Sequence, residues 1–333
     1  MADRPGAQNP LLKLHAMTAD LARVDDELRK SVETDDDLLT EIAGHLIKAG
    51  GKRLRPGFAI ASAAAGASEM GPAPHKVVLG GVSVELVHLG SLYHDDVMDE
   101  AATRRTVDSV NARWGNLKAI LGGDFLLAKA SEIAAGLGTE VAGLLAATIA
   151  KLCEGQVREL RDVFNVGRNE DNYFSAIAGK TAALFAAATR IGGIVGGLSR
   201  ADIDRLTLFG TEYGMAFQIV DDILDVVASE EDLGKPSGND LMQGVYTLPV
   251  IRSLAGPDRG RLLSLLGQPL SKEAVEAPRA VIANNGSIPT SMTTARSYID
   301  RALDAIAPLA DNDGTVALRG AAHHLLDSLP ATG

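Results

Sequence analysis

Two stretches of this chain end long apolar runs in clustered aspartates, and that arrangement limits what the chain can fold into. VVLGGVSVELVHLGSLY, residues 77–93, leads straight into HDDVMDE, with Asp95, Asp96 and Asp99. FQIVDDILDVV repeats the arrangement at Asp221, Asp222 and Asp225. Neither stretch has a cation within it: the nearest basic residues are Lys76 and Arg104 around the first, Arg205 and Lys235 around the second. In an α-helix each residue advances 100°, so Asp95 and Asp99 lie about 40° apart on one face, as do Asp221 and Asp225. Like charges at that spacing cost roughly 0.2–0.5 kcal/mol in water and far more when desolvated. One such motif is readily explained as a solvated helix end in an acidic protein. A pair, each following an apolar helix, needs either water or a metal.

The rest of the chain reads as helix. From about Leu11 onward the apolar residues recur with helical period. DDDLLTEIAGHLIKAGGKRLRP gives an acidic start, an apolar stripe and a Gly-Gly stop, with Pro56 soon after. Further helical stretches are FAIASAAAGA, Val77 to Asp99, Asn116 to Leu137, Glu140 to Leu160, Asn172 to Leu198 and Ala201 to Ser229. Period-two alternation is scarce, and GPAPH, NVGRNE and GKPSGND read as short loops. The expectation is a disordered tail over residues 1–10 and a single all-α domain over 11–333. Alanine and glycine are abundant and aromatics make up only 4%, so the helices should approach closely through small side chains.

The net charge of −11 argues against a nucleic-acid partner, since phosphate backbones require a basic surface. One cysteine, Cys153, allows no intramolecular disulfide and fits a reducing compartment. The N-terminus lacks the apolar core of a signal peptide, and no uncharged run reaches the about 18–20 residues of a spanning helix. A cytoplasmic protein without a transmembrane segment is expected.

All-oxygen ligands on a helix suit a hard cation, and Mg²⁺ is held by one or two carboxylates together with waters and phosphates. The aspartates therefore imply a phosphate-bearing ligand. Basic residues that could meet it stand in GGKRLRP (Lys52, Arg53, Arg55), at Arg104-Arg105, and beside glycine at Lys180 and Lys235. Each alone is more often solvated surface. Glu85 and His88 form one ExxH, but a di-iron bundle needs two, and no second is present.

These motifs resemble the trans-type isoprenyl diphosphate synthases, or polyprenyl synthetases, particularly the long-chain members. GGKRLRP, HLGSLYHDDVMDEAATRR, GDFLLAKA, GKTAALF, FQIVDDILD and GKPSGND with TLPVI follow the family's order and spacing from about Leu39 to Ile251. The resemblance implies an all-α helical bundle around a central cavity, usually as a homodimer. It implies that Asp95 and Asp99, opposed by Asp221 and Asp225, bind Mg²⁺. The ions would grip an allylic diphosphate, helped by Arg104, Lys180, Thr181, Gln218 and Lys235. Lys52, Arg55, His88 and Arg105 would hold isopentenyl diphosphate. Without the resemblance, His88 reads as a histidine of the helix core.

The implied reaction ionises the allylic C–O bond, lets the isopentenyl double bond attack the cation, and releases a proton. An aliphatic wall poor in aromatics would keep out water. Two departures stand out. Thr106 and Asp108 occupy places where the family commonly has Gly and Pro, and Val245 stands where many members have Lys. Gly90 and Ser91, with Val87 a turn lower, are the positions where bulky residues floor the cavity in members that stop at short products. Here Gly90 and Ser91 are small, which points to a product beyond twenty carbons, unless they serve helix packing. A peripheral membrane contact would then aid product release. The alternatives are a C15–C20 synthase, a class I terpene cyclase, and a non-catalytic helical partner subunit. The retained aspartates and the low aromatic content weigh against the last two.

Overall fold

Local signals start and stop the helices where the sequence marks them. The structure, a computed structural model, describes residues 10–67, 71–228 and 237–329. After a short turn at Pro10–Lys13 come α1 (Met17–Ser31), α2 (Asp37–Lys48), α3 (Leu54–Ala64), α4 (His75–Met98) and α5 (Val110–Trp114). Then follow α6 (Asn116–Leu137), α7 (Thr139–Arg161), α8 (Glu170–Ile177), α9 (Ala183–Gly196) and α10 (Arg200–Val227). Helices Ser287–Ile306 and Asp313–Asp327 are the longest of the remainder. Asp36 caps α2 by accepting the Leu39 amide at 3.0 Å, and Ser199 caps α10 through the Asp202 amide at 3.2 Å. Asn312 and Thr315 form a reciprocal capping box on the last helix. The expected tail lies outside the described residues except for Pro10.

The fold is all-α. Its only strands among the described residues are Thr103–Arg104 and Val107–Asp108, a two-residue hairpin that sequence periodicity did not suggest. The hairpin turns through Arg105 and Thr106, both with positive φ, at 51° and 65°. The turn is made without the glycine that the resemblance implied there, by placing the β-branched Thr106 in the left-handed region. The expected helix from Asn172 to Leu198 is also interrupted. Between α8 and α9, residues Ala178–Ala182 form a π-helical turn that carries Lys180 and Thr181. Such turns insert one extra residue into a helix and re-aim its side chains.

α4 is the central helix, buried on nearly every side, and packs chiefly against α6, α3 and α9. It is long and apolar enough to cross a membrane by composition, but 72% of that stretch is buried within the fold. α10 packs against α9 and against Ser287–Ile306. Small residues allow the close crossings. A Cβ on Gly192 of α9 would lie 2.1 Å from the Ala59 carbonyl oxygen of α3. One on Gly155 of α7 would lie 2.3 Å from the Lys180 amide, so this glycine lets α7 touch the π turn.

Aromatic side chains are few but concentrated. Phe58, Phe185, Phe209, Tyr213 and Phe217 form one cluster, with the Phe58 and Tyr213 rings 4.6 Å apart. The cluster forms where α3, α9 and α10 converge, so the few aromatics of this chain are gathered in one place. Gly192→Ala should lower stability by about 1–3 kcal/mol, because backbone on the facing helix cannot yield. Gly143→Ala on α7, where an added Cβ meets nothing within 4 Å, should raise it by about 0.5–1 kcal/mol. Chemical denaturation of both variants checks the opposite signs.

Candidate active site

The first acidic motif closes α4, and its three aspartates divide the work. Asp96 points inward and is fully buried. Its Oδ1 accepts from Nε of Arg104 at 2.8 Å, so the hairpin's first arginine is tied to the helix. Asp95 is half-buried and Asp99 exposed, on the neighbouring face. Burial pushes the Asp95 carboxyl up to about 6, with Lys180 opposing and Asp99 adding to the shift. Burial also raises Asp99, against the pull of Lys180 and Arg104.

The second motif ends α10 and repeats the division. Asp222 is buried, accepting at Oδ2 from the Tyr173 hydroxyl at 2.5 Å and at Oδ1 from Gln218 Nε2 at 2.8 Å. Burial pushes it up to about 7, opposed by those two hydrogen bonds, while Asp221 and Glu159 push it further up. Asp225 is also buried. Its Oδ2 accepts the Asp240 amide at 3.2 Å and its carbonyl accepts the Gly238 amide at 2.9 Å. These two bonds tie the turn after α10 to the helix end that carries Asp225, the residue for which the resemblance implied a role in metal binding. Asp221 is the half-buried carboxylate of this wall.

Lys180 and Glu159 stand between the walls as an ion pair, Lys180 on the π turn and Glu159 on α7. Burial alone would lower the Lys180 pKa, but Glu159, Asp95 and Asp99 outweigh it and hold the ammonium charged. Glu159 acts on Asp95 and Asp99 from one side and on Asp222 from the other, so both motifs border one space. Thr181 donates to Gln218 Oε1 at 2.7 Å, linking the π turn to α10. Lys235 lies outside the described residues.

The basic half lies further back along α4. Arg53 is buried in the left-handed conformation and fully engaged: Nε donates to Asp25 at 2.7 Å, one terminal nitrogen to Glu85 at 3.0 Å and the other to the Ile47 carbonyl at 3.1 Å. This explains Glu85 without a metal. Arg55 has its guanidinium 4.8 Å over the Phe185 ring, and its Nε is shielded from solvent without a hydrogen-bond partner. Burial lowers it to about 10, with Glu85 opposing and Arg105 adding. Arg105 reaches the Gly50 and Leu46 carbonyls. Burial, then Arg55, Arg105, Arg104 and Arg53, hold His88 well below its ordinary pKa, so it is neutral at physiological pH. Lys52 is half-buried in the same loop.

Gly90 faces α6: an added Cβ would sit 3.0 Å from the Gly123 carbonyl oxygen and 3.2 Å from Leu127. Its smallness therefore answers to helix packing. Ser91 is half-buried, with its hydroxyl donating to the His88 carbonyl at 2.8 Å, and Val87 is buried. Sequence reasoning missed Glu159 and Tyr173, which single out no motif and acquire meaning only from contacts between helices.

Among the described residues no three acidic, histidine or cysteine side chains converge closely enough to hold a metal alone. The donor set still fits a hard cation. The Asp95 carboxyl, pushed up by burial and by Asp99, is a site that a divalent charge would relieve, with waters and phosphate oxygens completing the shell.

The comparisons with known proteins agree with this geometry. A sequence model described as polyprenyl synthetase matches residues 36–282. The chain is 38% identical to a nonaprenyl diphosphate synthase of Mycobacterium tuberculosis, over 91% of this chain and 90% of that protein. It is 36% identical to heptaprenyl diphosphate synthase component 2 of Geobacillus stearothermophilus, over 94% and 98%. A polyprenyl synthase of Caulobacter crescentus, solved with calcium and isoprenyl diphosphate, superposes with a TM-score of 0.89 at 31% identity, over 97% and 98%.

Arg104→Ala should lower the melting temperature, since it leaves the buried Asp96 carboxylate unpaired. Asp95→Asn should not. The Asp95 carboxyl is raised above its unfolded value, so its contribution favours folding at low pH and is lost as pH rises from about 4 to about 6. At pH 7.5 the asparagine variant should melt at the same temperature as the parent or higher, by scanning calorimetry.

Proposed function

The chain belongs to the polyprenyl synthetase family and is a trans-prenyltransferase, and from that premise we propose how it works: a Mg²⁺-dependent synthase that condenses isopentenyl diphosphate with an allylic diphosphate and extends the product beyond twenty carbons. The observation that carries the reading is the pairing of an acidic and a basic half on one helix. His88 and Asp95 are seven residues apart, which places them on one face of α4 about 10 Å from each other. That spacing leaves room for two diphosphates with their reacting carbons between them.

In this reading Asp95 and Asp99 hold divalent ions from one wall and Asp221 from the other. Bound there, the ions supply positive charge against the negative charge that grows on the departing diphosphate. Lys180 exchanges Glu159 for a phosphate oxygen and adds its own charge. Arg55, Arg105 and Lys52 bind the isopentenyl diphosphate, and neutral His88 orients it by a hydrogen bond without adding charge. As the allylic C–O bond breaks, the isopentenyl double bond forms the new C–C bond, and the proton lost passes to the released diphosphate. The buried aromatic cluster beside Arg55 excludes water from the cation. We place the enzyme in the cytoplasm as a homodimer. Exposed Leu117, Ile120 and Leu121 on α6 are an apolar stripe for a second copy to cover, and the long product leaves at a membrane surface.

Asp95→Ala and Asp221→Ala should each lower turnover by at least about 10²-fold, since each removes charge that stabilises the leaving group. Steady-state kinetics on the purified protein give the answer, and near-normal turnover in either variant would refute a two-walled site. Lys52→Ala and Arg55→Ala should instead raise KM for isopentenyl diphosphate, while Lys180→Ala lowers kcat.

Product length rests on Ser91 and Val87, since α6 already constrains Gly90. Ser91→Phe should shorten the product while leaving primer ionisation intact, as resolved by chromatography of the dephosphorylated alcohols. A parent enzyme that stops at fifteen or twenty carbons would rule out the long-chain reading.

A further inference from the structure

We propose that Tyr173 is a positioning residue of the allylic half of the site, a role that rests on the prenyl-transfer reading above. Its hydroxyl begins a chain of hydrogen bonds that no motif predicted. Tyr173 on α8 donates to Asp222 Oδ2 at 2.5 Å, Gln218 Nε2 donates to Asp222 Oδ1 at 2.8 Å, and Thr181 donates to Gln218 Oε1 at 2.7 Å. Three elements, α8, α10 and the π turn, are joined through four side chains. Tyr173 and Asp222 are 1% and 2% exposed, so water cannot replace a lost partner.

The chain has one polarity. Asp222 accepts at both oxygens, which sets the Gln218 amide with its nitrogen toward the carboxyl and its carbonyl toward Thr181. The Gln218 carbonyl then takes the Thr181 proton. Thr181 therefore presents oxygen lone pairs beside Lys180, which suits water or a cation and does not suit direct donation to a phosphate. Gln218 and Asp222 are four residues apart on α10 and would meet without help. What Tyr173 adds is the second donor, which stops the carboxylate from rotating toward the space it shares with Asp221. The tyrosine is itself held firmly, its ring against Phe174 at 5.3 Å and under the Arg168 guanidinium at 5.6 Å. Removing only the oxygen leaves that packing in place.

Tyr173→Phe is the test. The expected result is a kcat lower by about 10–100-fold, the usual effect of removing an outer hydrogen bond around a metal site, with KM for isopentenyl diphosphate within about twofold of the parent. Two readouts do not depend on turnover. Calorimetry with inorganic pyrophosphate and Mg²⁺ should show weaker binding by a similar factor. In protein labelled with ¹⁵N-glutamine, the Gln218 side-chain amide signals should move toward those of a free amide. Unchanged pyrophosphate affinity with unmoved Gln218 signals would overturn the proposal, as would equal damage to both substrates or loss of the fold. If the parent itself makes no prenyl product, the functional reading fails, while the amide and pyrophosphate measurements still decide the role of Tyr173.

Discussion

The ion pair of Lys180 with Glu159 links two acidic helix ends, and the rest of the site is arranged around that balance. The ammonium acts on Asp95 and Asp99, and the carboxylate on Asp222 as well. α4 and α10 each end in aspartates, and both ends face the space that Lys180 shares with Glu159. Burying carboxylates is unfavourable, and it shows in Asp95 and Asp222, pushed up by burial to about 6 and about 7, with neighbouring carboxylates adding to the shift. The fold offsets part of this by giving the inward aspartate of each motif a fixed partner: Arg104 for Asp96, and Tyr173 with Gln218 for Asp222. In the proposed function the remaining negative charge would meet a ligand that brings cations with it.

The basic half is built by the opposite logic. Burial, and after it the charges of Arg55, Arg105, Arg104 and Arg53, keep His88 neutral, while Glu85 and Asp25 absorb the charge of Arg53. Arg55 is the guanidinium with spare donor capacity, since its Nε is shielded from solvent and unbonded. Under the proposed function a diphosphate would supply the oxygens this half lacks without any metal, so the two halves would take two different anions, one carrying its own cations and one not.

Most of the fold was legible in the sequence because helical periodicity is local. The expected spans Asn116 to Leu137 and Val77 to Asp99 lie within two residues of α6 and α4. The π turn was not legible, because Gly155 and Gly179 crossing at backbone contact is a fact about two helices. The site was legible as residue types at a spacing, while the division of labour within each DDxxD was not. Asp95 and Asp96 are identical neighbours in sequence, and only the hairpin that delivers Arg104 separates their roles. Asp225 was placed with Asp221 by spacing, while the amide of Asp240 that its Oδ2 accepts could not be read from the sequence. Gly90 read either as room for a product tail or as a packing position, and its close approach to Gly123 and Leu127 of α6 is visible only in the fold.

The division into a metal-dependent and a metal-independent anion site is the centre of this account. Calorimetric binding of each substrate alone, with and without Mg²⁺, tests it most directly. Isopentenyl diphosphate should bind in chelator with an affinity that Mg²⁺ changes little, and an unreactive thio-analogue of the allylic diphosphate should bind only when Mg²⁺ is present. An equal dependence on Mg²⁺ for both ligands would contradict it.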